Sequence, residues 1–118
     1  MNDLFDRTRP HDAREGLFGG RATVRVWDLD PRPLAPFAAI LACELEPSGS
    51  VGAHVQQECP EIVLGISGVG RASVNGVWTE LQAGAVVQLP WGATLSIENS
   101  STSDALCYLI IKAHAPRA

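Results

Sequence analysis

Basic residues are almost missing from the middle of this chain. Between Phe37 and Ile111 seven acids (Glu44, Glu46, Glu58, Glu61, Glu80, Glu98 and Asp104) stand against a single base, Arg71. Nucleic acids and anionic membranes are held by clustered Lys and Arg, so neither is expected as a partner. A phosphorylated substrate is disfavoured on the same ground. Cysteine is scarce as well: Cys43, Cys59 and Cys107 are odd in number and share no close spacing. With an N-terminus too charged for a secretory signal, they point to a reduced, cytoplasmic setting. No apolar run approaches the roughly 20 residues of a spanning helix, and there is no internal repeat or low-complexity tract. What is present is the material of one globular domain: 118 residues, 46% of them hydrophobic, 19% charged, with a net charge of -4. That length buries a core without disulfides or a structural metal.

Residues 1–20 mix both charge signs with Pro and Gly and keep no period, so they read as a loosely ordered lead-in with room for one short helical turn. Residues 21–118 read as the folded domain. The segment 21–29 alternates Val24, Val26 and Asp28 with Thr23, Arg25 and Trp27, which is strand behaviour. A connector with three prolines in seven residues, 30–36, follows. Short apolar segments then recur at 37–46, 50–56, 60–67, 70–74, 77–81, 84–89, 93–99 and 104–113, separated by turn residues. That rhythm predicts an all-β sandwich or barrel of antiparallel strands. Asn75-Gly76 between two alternating runs predicts a two-residue type I′ hairpin. The last strand is apolar on both faces, so its outer face needs a cover: the N-terminal segment or a second copy.

Chemistry concentrates in residues 52–68. His54 and Gln56, two apart on a strand, project to one face, and Glu61 opens the next strand, where it can aim at the same point. The trio reads in two ways. It is either a divalent metal site for iron, manganese, zinc or nickel, or a hydrogen-bonded polar cluster satisfied by itself and by water. A desolvated Glu61 would also be a candidate general acid or base.

Residues 49–68 resemble the first motif of the cupins, small jelly-roll β-barrels of the double-stranded β-helix type, with Gly49, His54, Gln56, Glu61 and Gly68 in order. Residues 84–99 resemble the second motif through Gly84, Pro90, Gly92 and Asn99. The resemblance implies a metal held by two motif-one histidines, the glutamate and a motif-two histidine. In this chain Gln56 replaces the second histidine and Leu95 the third. A thiolate from Cys43 or Cys107 could reach the position Leu95 leaves, if either points inward.

The resulting expectation is a degenerate metal site at His54, Gln56 and Glu61, binding metal weakly or not at all, in a barrel that takes a small neutral or apolar molecule. Val63, Leu89, Leu95 and Ile97 would wall the pocket, and Trp91 would sit at its mouth. No organic cofactor is implied. The alternative is a weakly metal-dependent enzyme of dioxygenase, isomerase or cyclase type acting on a neutral compound, since Arg71 is the one barrel cation in sight for a charged one. Small cupins commonly pair, so a homodimer is expected.

Overall fold

The computed structural model describes residues 3–56 and 58–114. Ten strands run in chain order: β1 (Asp12–Glu15), β2 (Thr23–Asp28), β3 (Phe37–Leu45), β4 (Ser50–Val55), β5 (Glu61–Ser67), β6 (Val69–Val74), β7 (Val77–Gln82), β8 (Val86–Leu89), β9 (Thr94–Asn99) and β10 (Leu106–Ala113). Every pairing is antiparallel. A six-stranded sheet has the order β1-β2-β3-β10-β5-β8, and a four-stranded sheet the order β4-β9-β6-β7. The two form the jelly-roll barrel expected from the motifs.

Strand limits agree with the sequence pattern to within about two residues, because the turns obey local chemistry. Asn75 and Gly76 have φ of 52° and 82°, the positive pair a type I′ turn requires, and they join Val74 to Val77 directly across β6 and β7. Gly68, Gly84 and Gly92 also take positive φ at turns.

The N-terminal stretch is better ordered than a loose lead-in. β1 pairs with β2 from Asp12 opposite Val26 to Glu15 opposite Thr23. All four of its residues are exposed, so no apolar alternation marked it in the sequence. The residues before it cover the outer face of β2. The Trp27 indole donates to the Asp6 carbonyl at 2.9 Å and packs against Phe5 and His11. Arg7 reaches Glu44 at 2.7 Å. The only helical turn among the described residues is a short 3-10 turn at Leu17–Gly19.

The interior divides into two parts. Leu45, Val63, Ala72, Leu81, Val87, Leu89 and Leu106 belong to a buried hydrophobic cluster and do not line the cavity that holds His54. Toward the ends of β4, β5 and β10 the barrel opens into a cavity of about 590 Å³.

Candidate functional site

Strands supply most of the cavity wall, and the 3-10 turn and the segment between β4 and β5 complete it. Val24 and Val26 come from β2, Leu41 and Cys43 from β3, Leu95 and Ile97 from β9, and Tyr108, Ile110 and Lys112 from β10. His54, Gln56 and Glu61 line the same space. The sequence therefore brings together the trio it suggested, with Leu95 and Ile97 beside it. Val63 and Leu89 instead lie in the closed core, and Trp91, 61% exposed, is outside the wall.

A β-bulge decides that His54 faces inward. β4 pairs Val51 with Ile97 and then His54 with Leu95, so three steps on β4 match two on β9. The extra residue reverses the alternation, placing Val51, His54 and Gln56 all on the barrel side. Gly52 sits in the bulge, and its carbonyl accepts a 2.9 Å hydrogen bond from His54 Nδ1. With that nitrogen protonated, Nε2 is the ring's acceptor. The ring is clamped from the other side by Phe18, stacked at 4.0 Å between centroids and 12° between planes. Phe18 holds that place at φ 53°, the left-handed region, in a turn that also contains Gly16 and Gly19 at positive φ.

Gln56 is fixed by its backbone, whose N–H donates to the Ala93 carbonyl at 2.9 Å and whose carbonyl accepts from Gly92 N–H at 2.7 Å. Its side-chain amide, on a residue only 7% exposed, lines the cavity and hydrogen-bonds no described residue. No polar side-chain atom among the described residues is sealed away without a partner, so this amide faces the cavity space.

Glu61 is the buried charge of the site. β5 and β10 set it directly opposite Lys112, and Lys112 Nζ lies 3.3 Å from Glu61 Oε2. The glutamate side chain is 2% exposed and the lysine 34%. Burial raises the carboxyl above the usual carboxylate range, while the Lys112 ammonium and, more weakly, His54 pull it back. This lysine directly follows the acid-rich stretch 37–111. Arg14 also lines the cavity, so Arg71 is not the barrel's sole cation. Arg71 itself lies at the outer surface, paired with Glu98 at 2.9 Å and stacked over Trp78.

The cysteines divide by face. Cys43 points into the cavity and shares a hydrogen bond with the buried Tyr108, and burial pushes its thiol up to about 12. It stays protonated at neutral pH and is a poor metal donor. Cys107 lies on the opposite face of β10, beside Glu44 and Ser67 and near Arg7, and burial raises its thiol too. Cys59 is partly exposed at the cavity rim. In a thiol titration at pH 8, Cys59 is therefore expected to react quickly and the other two only after denaturant is added. Three fast thiols would contradict the buried placement.

The donor set does not fit a transition metal. Catalytic sites for such ions keep at least three protein ligands. Here one donor is a neutral amide, the carboxylate already carries an ammonium, and Leu95 presents hydrocarbon where a fourth ligand would be. Among the described residues no group of three or more His, Cys, Asp and Glu side chains is placed to hold an ion.

The Cupin domain family model matches residues 41–111, more than half of the chain. The chain belongs to the cupin family. Among solved structures this cupin is similar to a predicted oxalate decarboxylase from Thermotoga maritima, at 24% identity over 89% of this chain and 92% of that one, with a TM-score of 0.81. A Cupin 2 conserved barrel domain protein from Salinispora arenicola is 26% identical over 78% of this chain and 76% of that one, with a TM-score of 0.67. The Cnp3 cupin domain of Schizosaccharomyces pombe superimposes with a TM-score of 0.71 at 14% identity, covering 88% and 69% of the two chains. No curated protein matches the sequence. The family match ends at Ile111, one residue before Lys112.

Proposed function

We propose that this cupin binds a small uncharged molecule with an apolar body and one hydrogen-bonding end. The Gln56 amide carries the reading. No described residue takes up its hydrogen-bonding capacity, which opens onto a cavity of about 590 Å³. His54 Nε2 offers a second contact, an acceptor whose direction is set by Gly52 and Phe18. Val26, Leu41, Val51, Leu95, Ile97 and Ile110 surround the remainder with hydrocarbon, the usual composition of a small-molecule site. The Glu61–Lys112 pair contributes no net charge, which favours a neutral guest.

Saturation-transfer NMR with a panel of neutral alicyclic and aromatic alcohols, ketones and amides tests the reading. At least one member is expected to bind in competition with others of its class, and Gln56→Leu is expected to weaken it about tenfold, the loss of roughly 1.4 kcal/mol. Binding unaffected by Gln56→Leu would move the site elsewhere.

A second reading, proton transfer on a neutral substrate, is supported by Glu61. Burial moves its carboxyl toward the working range of a general acid or base, and His54 is available as a partner in the same cavity. Such chemistry would use the chain's own residues, without the metal dependence the family resemblance suggests.

The molecule acts, in the same proposal, as a homodimer in a reducing cytoplasmic setting, which its three unpaired cysteines suit. The outer face of the six-stranded sheet supports pairing. Ile40, Ile111 and Ile62 form one row across it, and Leu109, Leu64 and Val86 form the next. Ile62 and Val86 are 39% and 58% exposed, and contiguous apolar surface of this kind marks an association site. Light scattering is expected to give twice the chain mass, falling to one chain in Ile62→Glu. A wild-type monomer at micromolar concentration would refute the dimer.

A further inference from the structure

The cavity holds a positive charge that no metal motif supplies. Lys112 enters on β10, directly opposite Glu61 on one side and Ala39 on the other. The small Ala39 side chain leaves the lysine stem free to lie along the barrel wall. Its ammonium meets a carboxylate that is otherwise buried and without a hydrogen-bond donor among the described residues. An isolated ionised carboxylate cannot be kept in such a place; it is neutralised or it is paired. Lys112 pairs it.

We infer that Lys112 is the resident cation of this barrel, neutralising Glu61 in place of a divalent ion and excluding such an ion from the carboxylate. Two features act together. Leu95 removes a ligand, and Lys112 places like charge beside the carboxylate any incoming ion would need. Repulsion between an ammonium and a divalent cation a few ångströms apart opposes the ion, weakened by the one-third exposure of Lys112 but acting directly on a carboxylate that is 2% exposed. Lost ligands alone would leave a weak metal site. The lysine makes it an unfavourable one, and this holds whether or not the cavity takes an organic guest.

The two features can be separated by cobalt titration, followed by visible absorption and calorimetry, on the untagged protein. Leu95→His restores an imidazole and leaves the ammonium; Leu95→His with Lys112→Met restores the imidazole and removes it. The double variant is expected to take one cobalt ion at least tenfold more tightly than Leu95→His alone. Lys112→Arg, which keeps the charge, is expected to bind no better than the wild type. Equal affinity of the single and double variants would overturn the inference, as would one tightly bound cobalt in the wild type lost in Glu61→Gln. If circular dichroism shows Lys112→Met unfolded, Lys112→Gln removes the charge while keeping a polar end, and the same comparison decides.

Discussion

Asn99→Ala is expected to lower the unfolding free energy by about 3 kcal/mol, near the top of the range for a single polar side chain. Asn99 is 5% exposed and ties three chain segments together. The two hydrogens of its Nδ2 are shared among the carbonyls of Leu45, Glu46 and Asp104, at 3.1, 3.0 and 2.9 Å. Its Oδ1 accepts from Ser101 N–H at 2.9 Å. Alanine would take this partner from the Leu45 and Asp104 carbonyls and the Ser101 N–H, where β3, β9 and the approach to β10 meet, while the Glu46 carbonyl would keep the Gly49 N–H. Asn99→Asp should also destabilise, because an acceptor-only carboxylate cannot serve three carbonyls. Urea unfolding checks both, and a loss under 1 kcal/mol, about what one ordinary hydrogen bond contributes, would show that the segments are held by other contacts.

Gly52→Ala is expected to cost about 2–3 kcal/mol and to disturb the site as well as the fold. A Cβ at Gly52 would lie 1.9 Å from the Phe18 carbonyl oxygen and 2.7 Å from its carbon. Both are backbone atoms, so rotating a side chain cannot relieve the clash. The turn must lift away, and Phe18 must lose its stack on His54. The expected signature is a lower melting temperature together with a shifted and broadened His54 ring resonance. Phe18→Ala should reproduce the ring effect at much smaller cost in stability, since Phe18 is 54% exposed. A Gly52→Ala protein with unchanged stability and an unchanged His54 resonance would contradict the close approach of the turn to β4.

The legible parts of this cupin were those fixed by local rules. Asn75-Gly76 could hardly be anything but a tight hairpin, and the apolar segments between turn residues could hardly be helices. His54, Gln56 and Glu61 were visible because one motif, residues 49–68, holds all three. The β-bulge that turns His54 inward was not, since an extra residue in β4 shows only against the register of β9. β1 was hidden for a related reason: an exposed edge strand needs no alternation, and its partner alone defines it. Lys112 lies inside the strand expected at 104–113, but a strand read alone does not say which residue of a neighbouring strand it faces. Only the pairing of β5 with β10 sets it against Glu61. Val63 and Leu89 have the inward parity of wall residues, but parity cannot distinguish the filled part of a barrel from its open end.

In the proposed function the barrel interior receives its ligand through the Gln56 amide. Its side-chain N–H resonances, assigned by their disappearance in Gln56→Leu, report on it directly as a neutral ketone or amide selected from the panel is titrated to saturation. Those resonances are expected to move with a single binding constant matching that from saturation transfer, alongside His54 and with little change at Arg71 on the outer face. Resonances that stay still while a panel member saturates the protein would contradict it.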